Sequence, residues 1–533
     1  MTFYLLISAL VIILCLFCNK LSNKIGLPAL LIFIGIGVLF GSDGIFKIYF
    51  DDYNFAETIC SVALIFIMFF GGFCTNWNIA KPVINKAVSL STLGVILTAF
   101  LVAFFSVYVF KFDFLTGLLI GSLLSSTDAA SVFSILRLHK LNLKNGLASI
   151  LEIESGSNYP FAFIMTMLTL TLMGVGSHGS IITFIFKEVI FGLIIGVLIG
   201  LAGIYILSKV DLKGDGLDTI FVFALALSAY ALPVTIGGNG YLSVYISGLM
   251  LGNSNIKNKI SLVHFFNGIT GLAQMIIFFI LGLLSFPSQI PEIFLTALLI
   301  MLFLTFIARP IVVFIILKPF KVNIKQILFI SFSGLRGAAS IVFAIIVIAS
   351  GAKLSIDIYH IVFLVAIFSI LFQGTLLPYV AKKLDVVDNE EDVFKTFTDY
   401  NEVTDMELVQ IKVTKDTDFL NKKLCDLSLP KKMLIVMIKR GEDSIVPNGN
   451  TMLREGDIII FNAKLYNDDD NIKLKEVKAE DRPDWINKSI SEITFKNKRR
   501  LIVMIKRGEK TVIPRGNTKI RKDDILVLSG FDE

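Results

Sequence analysis

The sequence contains little charge and few residues of the kinds that carry out chemistry in enzymes. Only 17% of its 533 residues are charged, and it has four histidines. It shows no nucleophile with a neighbouring base, no cluster of metal-ligand residues and no phosphate-binding glycine loop in its usual context. We therefore expect neither an enzyme nor a bound cofactor. The histidines lie at or near the ends of apolar runs, which argues against a central proton carrier: His139, His178, His264 and His360.

The five cysteines do not predict a metal or redox site. Cys15, Cys18, Cys60 and Cys74 lie in or at the ends of apolar runs, and Cys425 lies far beyond them. Cys15 and Cys18 form a Cys-x-x-Cys pair, but this pair has no histidine partners and lies on a predicted membrane helix. Packing is the better interpretation of such a pair.

Long apolar runs are abundant. The chain is 55% hydrophobic, with a mean hydropathy of +0.77, and charged residues become frequent only from Lys382 onward. This pattern predicts an all-α polytopic membrane domain over residues 1–385, followed by a soluble region. We expect the first span to be retained rather than cleaved. Thirteen spans are predicted near residues 2–18, 27–45, 57–73, 87–110, 114–137, 146–174, 180–208, 216–235, 239–252, 261–285, 293–317, 325–350 and 357–381.

The basic residues of the apolar region fall mostly in alternate connections. If the spans alternate in direction, one side collects nearly all of them, and the other holds only Lys47, Lys111, Lys353 and Lys187. Because positive loops stay in the cytoplasm, the N-terminus is predicted outside and the C-terminal region inside. The net charge of +6 is explained by these loops, so it does not predict a nucleic-acid partner.

The stretch LEIESGSNYP places polar groups in the middle of an apolar span. Glu152, Glu154 and Asn158 lie here, and Gly156 and Pro160 are expected to disrupt the helix. A charge at this depth costs several kcal/mol unless it is paired, so it needs a functional reason. We predict half of an ion-binding site in a membrane transporter. Glu152 lies on a different face from Glu154 and could line the cytoplasmic entrance.

A second polar stretch, SSTDAASVF, lies at a similar depth in the fifth predicted span. Ser126, Thr127 and Asp128 could cap a helix that breaks and supply oxygen atoms to a small cation. Glu154 and Arg336 are predicted near the same level. The alternative is that Asp128 only fastens its helix to a neighbour.

Arg336 lies in SGLRGAAS, between Gly334 and Gly337, where small residues allow close helix approach or local unwinding. A guanidinium cannot lose its proton, so a buried carboxylate must compensate it. We predict Glu154 and Arg336 as a structural ion pair. Arg309 is another deep basic residue, with structural pairing as its expected role.

The soluble region contains a duplication. LIVMIKRGE starts at Leu434 and again at Leu501, and VPNGNTMLREGDIIIF recurs as IPRGNTKIRKDDILVL. Short β-rich runs separated by Arg-Gly-Glu and Gly-Asn turns predict two small α/β modules, over residues 398–466 and 473–533.

Four motifs in this order resemble the monovalent cation/proton antiporters: STDAASVF, LEIESGSN, GGNGYLSVYISGLMLGN and SGLRGAAS. The similarity is greatest to bacterial potassium/proton or sodium/proton exchangers with a cytoplasmic RCK C-terminal (TrkA-C) domain. The resemblance implies inverted repeats, a homodimer, elevator-like alternating access and exchange across the cytoplasmic membrane. It implies an ion and proton pathway with no catalytic residue and no metal beyond the transported monovalent cation. The pathway comprises Thr127, Asp128, Glu152, Asn158 and Tyr159, with Ser126, Ser155 and Arg309 as further candidates.

One position departs from the family pattern. In the resembling proteins an aspartate follows the asparagine and binds cation and proton in turn, whereas here Tyr159 follows Asn158. A phenol is neutral at pH 7 and cannot replace a carboxylate. Either Asp128 or Glu152 takes the charged role, or the chain is impaired or altered in selectivity. A gated channel or uniporter and a non-transporting sensor are the alternatives, although no TVGYG-like filter favours a channel.

For the duplicated tail, the resemblance implies a ligand-sensing module that pairs across a dimer. A small nucleotide such as cyclic di-AMP is a candidate ligand, although no residue identifies it. Alternatively, the second copy serves assembly alone.

Overall fold

The computed structural model divides the chain into two compact units, Met1–Glu402 and Val403–Glu533. His178, Lys353 and the predicted module boundaries at 398, 466 and 533 lie outside the residues that the structure describes. The described residues are 2–25, 28–139, 141–144, 146–175, 180–210, 216–256, 258–352, 354–388, 406–414, 417, 419–427, 434–441, 443–464, 473–493, 501–508 and 510–530.

The first unit is helical, and each predicted span corresponds to one helix or to helices in succession. Seven helical stretches of the described residues are long and apolar enough to cross a membrane, and five further apolar helices are shorter. The helices are α1 Thr2–Ile25, α2 Ala29–Phe40, α3 Tyr53–Cys74, α4 Trp77–Ala80, α5 Ile84–Phe110, α6 Phe114–Leu123, α7 Ala129–Leu138, α8 Leu147–Leu172, α9 Ile181–Lys209, α10 Leu217–Thr235, α11 Gly240–Gly252, α12 Lys259–Leu283, α13 Ile290–Phe303, α14 Arg309–Leu317, α15 Ile324–Phe332, α16 Ala338–Ala349, α17 Ile358–Phe368 and α18 Thr375–Lys383.

Two of the predicted spans are broken near their middle. The fifth becomes α6 and α7, separated by residues 124–128, and the twelfth becomes α15 and α16, separated by residues 333–337. Both breaks contain serine; the first ends at Asp128 and the second at Gly337. Serine and aspartate side chains can stabilise free backbone groups, and glycine permits close approach of another helix, so these helices can end inside the bundle.

Two other helix pairs continue through π-helical turns. Leu304–Ala308 joins α13 to α14, and Ser369–Gly374 joins α17 to α18. Such turns disturb the regular hydrogen bonding and occur often at functional sites. Here the first turn ends directly before Arg309, and the second contains Ser369 and Gln373.

Helix α8 runs without interruption through Gly156 and Pro160, so the prediction that these residues disrupt it is wrong. Gly156 instead permits close packing, because a Cβ atom there would lie 2.8 Å from the Tyr245 ring of α11. Proline has no N–H to donate to the carbonyl four residues earlier, here that of Gly156, but membrane helices tolerate a proline inside them. The Pro160 carbonyl itself accepts a hydrogen bond from the Asn239 side chain of α11 at 3.4 Å.

A short antiparallel sheet lies at one end of the helical unit. Strand β1 (Asn142–Leu143), in the α7–α8 connection, pairs with β2 (Val387–Asp388), which follows α18. Lys144 and Asp385 form a salt bridge of 3.2 Å beside it. The residues that follow α18 therefore lie next to the connection between the two helices α7 and α8.

The second unit contains two four-stranded antiparallel sheets with the same order. The first sheet has the order β3-β6-β4-β5 and the second has the order β7-β10-β8-β9. The described residues of this unit form strands and short 3₁₀ turns without an α-helix, so its predicted α/β modules are observed as small sheets. The strands are β3 Met406–Lys412, β4 Leu434–Arg440, β5 Asp443–Ile445, β6 Ile458–Lys464, β7 Lys473–Lys478, β8 Leu501–Arg507, β9 Lys510–Val512 and β10 Asp524–Gly530.

The duplication extends to one buried polar contact in each sheet. Arg440 Nε and Nη2 donate to the two carboxylate oxygens of Asp457 at 2.9 and 2.8 Å, and Arg507 contacts Asp524 in the same way at 2.7 Å. The Arg440 hydrogen bonds hold the pKa of Asp457 below its usual range, although burial opposes this. Burial raises the pKa of Asp524, but hydrogen bonds from Arg507 and from the Arg521 backbone N–H bring this pKa below its usual range.

Candidate ion-binding site

The two helix breaks cross each other inside the first unit. The Asp128 backbone N–H donates to the Leu335 carbonyl at 2.8 Å, and the Ser126 and Ser340 hydroxyls are 3.0 Å apart. Arg336 Nη1 donates to the Ser126 carbonyl at 2.7 Å and to the Ser125 carbonyl at 3.2 Å. The free carbonyls of one broken helix are thus satisfied by a side chain from the other.

Asp128 is buried at this crossing, where its side chain is 7% exposed. Its carboxylate accepts hydrogen bonds from the Ser131 backbone N–H at 3.2 Å and the Ser131 hydroxyl at 2.5 Å, in the first turn of α7. A helix N-terminus favours a negative charge, which stabilises the ionised carboxylate here. Gly337 faces Asp128 closely, since a Cβ atom at this glycine would lie 2.6 Å from the Asp128 Cβ.

Two polar side chains of helix α8 form hydrogen bonds with the crossing. The Ser155 hydroxyl donates to the Thr127 carbonyl at 2.8 Å and accepts from the Ala129 N–H at 2.9 Å. Asn158 Nδ2 donates to the Thr127 hydroxyl oxygen at 2.7 Å. The Asn158 Oδ1 atom is buried and accepts no hydrogen bond from the described residues. It is therefore an oxygen atom with a lone pair available for a ligand.

Tyr159 lies on the same helix and faces Ser155 and Asp128. It also packs against the apolar core of the helical bundle. The tyrosine thus brings a neutral hydroxyl and an aromatic ring to the position next to Asn158.

The prediction that Glu154 forms a salt bridge with Arg336 is wrong. Glu154 Oε1 pairs instead with Arg309 Nη2, and both side chains are almost fully buried, at 1% and 4% exposed. Arg336 instead donates hydrogen bonds to the Ser125 and Ser126 carbonyls at the crossing. The sequence could not decide between the two arginines, because both lie deep in their spans. A π-helical turn, Leu304–Ala308, ends directly before Arg309.

Glu152 does not join the crossing. It is half-buried on α8 and lies near Cys74 of α3 and Tyr245 of α11. The structure therefore brings Thr127, Asp128 and Asn158 together and leaves Glu152 on another face.

Several polar residues of the site were not predicted from the sequence. Ser131 follows Asp128 by three positions, a capping spacing that could have identified it. Ser369 accepts from the Arg336 backbone N–H at 3.1 Å, and Gln373 accepts from the Ser369 hydroxyl at 2.5 Å. Both lie in a π-helical turn that has no clear sequence signal. Ser369 and Gln373, together with Arg309 and Arg336, contribute the polar part of the lining of a narrow cavity.

This arrangement suits a monovalent cation better than a structural metal. Within the described ranges no three His, Cys, Asp or Glu residues cluster so that they could hold a metal ion. The site offers one carboxylate, hydroxyl and amide oxygens and unwound backbone, which are the ligands of coupling ions in broken-helix transporters.

Comparison with protein families agrees with this geometry. The model for "Sodium/hydrogen exchanger, transmembrane" matches residues 6–383. The chain belongs to this exchanger family. A TrkA-C domain model matches residues 408–464 and 474–532, one match for each sheet of the second unit. The resemblance drawn from the four motifs is confirmed.

Curated relatives of this exchanger cover most of the chain. The K(+)/H(+) antiporter NhaP2 of Shewanella sp. (strain MR-4) is 33% identical over 467 residues, which cover 86% of this chain and 80% of that protein. The K(+)/H(+) antiporter NhaP of Alkalimonas amylolytica is 32% identical over 471 residues, covering 86% and 81%.

A solved structure has the same fold. The sodium proton antiporter MjNhaP1 of Methanocaldococcus jannaschii matches with a TM-score of 0.65 at 24% identity, covering 72% of this chain and 99% of that chain. The predicted fold class, a helical membrane domain followed by TrkA-C modules, is confirmed. The protein is a multi-pass membrane protein of an exchanger family and not an enzyme.

Proposed function

We propose that this exchanger moves potassium, or sodium, in one direction across the membrane and protons in the other. The names of the curated relatives support potassium as the first candidate, and the name of the structural neighbour supports sodium as the second.

Asp128 at the crossing of the two helix breaks carries the proposal. A buried carboxylate binds either a proton or a cation, because each neutralises its charge, and this competition couples the two fluxes. Thr127 and Asn158 supply neighbouring oxygen atoms. Glu154 and Arg309 hold α8 and α14 together and do not bind the ion, while Glu152 serves the approach to the site.

Tyr159 favours a second candidate function. Because its hydroxyl stays neutral, the chain could lack transport and act only as a sensor through its tail. Ligand binding to the tail without cation-dependent flux would support this reading.

Proton flux in everted membrane vesicles tests the proposal. After respiration has acidified the lumen, adding potassium or sodium should release protons from vesicles that contain the protein, and not from vesicles that lack it. Absence of a response to both cations between pH 6 and pH 9, with the protein shown to be inserted, would refute active exchange.

We further propose the cytoplasmic membrane as the location, with the N-terminus outside and the tail in the cytoplasm. The one-sided distribution of basic residues supports this orientation. Cys425 is a natural probe, since it is free and exposed in the tail. An impermeant maleimide should label it in everted vesicles and not in intact cells, with Cys425→Ser as the control.

The tail is proposed to regulate exchange as a ligand-sensing element, and the protein is proposed to be a homodimer. The two TrkA-C matches support a sensing role, and cyclic di-AMP is a ligand to test. Equilibrium binding of cyclic di-AMP to the full chain, with an unrelated dinucleotide as the control, addresses the ligand.

A further inference from the structure

Helix α9 buries a carboxyl group that the crossing does not use. Glu188 lies about 10 Å along this helix from its start at Ile181, and the residue is 8% exposed. Its Oε2 atom is buried without a hydrogen-bond partner among the described residues, and no described lysine or arginine forms a salt bridge with it. An ionised carboxylate in this position is costly, so the group has a strong reason to bind a proton.

Glu188 is connected to the site helix through Asn239, the residue that caps α11. The Asn239 backbone N–H donates to the Glu188 carbonyl at 3.1 Å, and the Asn239 side chain lies next to the Glu188 carboxyl group. Asn239 Nδ2 also donates to the Pro160 carbonyl at 3.4 Å. Asn239 is 1% exposed, so this connection between α9, α11 and α8 is inside the protein.

The groups around Glu188 do not neutralise it. On its own helix the neighbouring Lys187 is exposed. Tyr230 of α10 lies near Glu188, and Asn239 of α11 lies beside its carboxyl group. All of these partners except the exposed lysine are neutral at pH 7.

We propose that Glu188 is a second proton-binding carboxyl of the transport cycle, on the α9 and α11 side of the site helix. When it binds one proton it becomes neutral and suits its buried position, and when it releases the proton it becomes a carboxylate that attracts the incoming cation. This role rests on the proposed exchange function. Glu188 would also give the chain a second titrating carboxyl group in addition to Asp128, although Tyr159, which follows Asn158, is not a carboxylate.

Glu188→Gln tests this role because glutamine keeps the size of the side chain and cannot bind or release a proton. Full-length protein in proteoliposomes is assayed for potassium-driven and sodium-driven proton flux between pH 6 and pH 9. In the same vesicles, uptake of radioactive rubidium against internal potassium, without a pH gradient, measures cation exchange that needs no proton. Glu188→Asp is the conservative variant, and Glu292→Gln, at an exposed position in the first turn of α13, is the matched control.

Glu188→Gln should reduce proton flux about tenfold or more and flatten its pH profile, while rubidium uptake stays within about threefold of the unchanged protein. Glu188→Asp should restore most of the proton flux, and Glu292→Gln should have no effect. Unchanged proton flux and pH profile in Glu188→Gln would overturn the inference. Equal loss of both fluxes would also overturn it, because this result indicates a structural role. If the unchanged protein catalyses neither flux, the proposed function itself fails.

Discussion

Tyr159 is the side chain that most directly limits the chemistry of this site. It faces Asp128 and Ser155 from α8, next to Asn158, and brings no charge to the site. In the proposed mechanism, Asp128 is therefore the carboxylate at the crossing that binds the cation or the proton.

Replacing Tyr159 by aspartate adds a second carboxylate to the site. We expect Tyr159→Asp to raise cation-dependent proton flux in proteoliposomes on the order of tenfold, because a second proton acceptor faces the same ligand oxygens. Tyr159→Phe, which removes only the hydroxyl, is the control and should remain near the unchanged protein. No increase with aspartate would mean that the lack of a carboxylate at position 159 does not limit the flux.

The buried pair of Glu154 and Arg309 makes a prediction about stability. Glu154→Gln or Arg309→Met leaves one charge buried without its partner, which should cost about 3–5 kcal/mol of unfolding free energy. Thermal unfolding in detergent measures this loss.

A double-mutant cycle identifies the correct partner. Glu154 and Arg309 should show a coupling free energy of about 1–3 kcal/mol, larger than that between Glu154 and Arg336. A larger coupling to Arg336 would contradict the observed salt bridge and restore the pairing predicted from the sequence.

At the scale of elements, the crossing of the two helix breaks depends on a glycine. A Cβ atom at Gly337 would lie 2.6 Å from the Asp128 Cβ, so alanine must displace one of the two breaks. Gly337→Ala should reduce cation-dependent proton flux at least about tenfold, because a misplacement of about 1 Å is costly at a site that depends on geometry. Gly271→Ala on α12, where a Cβ atom meets nothing within 4 Å, is the matched control. Normal flux in Gly337→Ala would show that the site tolerates movement of the crossing.

The sheets of the tail predict a dependence on pH. Because the pKa of Asp457 is lowered in the folded state, the Arg440 pair contributes stability above the unfolded pKa of about 4, and this contribution is lost as the pH falls further. Arg440→Met should reduce the free energy of opening of β4 and β6 by about 1–3 kcal/mol at pH 7. Hydrogen exchange of the full chain measures it, with Lys439→Gln as the exposed control. Equal protection in both variants would refute the stabilising role.

The sequence predicts the elements better than their contacts. Apolar length is sufficient to place the spans, and Asp128 with its hydroxyl neighbours is sufficient to predict a polar centre. The partner of Glu154 could not be predicted, because Arg309 and Arg336 both lie deep in their spans and only the three-dimensional packing decides which of them reaches α8. The contacts of α8 at Gly156 and Pro160 could not be predicted either, since Tyr245 and Asn239 come from distant parts of the chain.

At the scale of the whole molecule, the protein joins a membrane exchanger unit to a duplicated TrkA-C tail. Strand β2, which follows α18, pairs with the connection between α7 and α8. These two helices carry Ser131 and Asn158, which contact Asp128 and Thr127. The connection that pairs with β2 is therefore continuous with both helices that contact Asp128 and Thr127.

The central claim is that Asp128 at the helix crossing exchanges a monovalent cation for a proton. The most direct measurement is proton flux in proteoliposomes of the purified full chain, driven by an imposed potassium or sodium gradient, for the unchanged protein and for Asp128→Asn. We predict flux that depends on the cation in the unchanged protein and its loss in Asp128→Asn, with both proteins equally folded by thermal unfolding. Equal flux in the two proteins, or no flux in either, would contradict the claim.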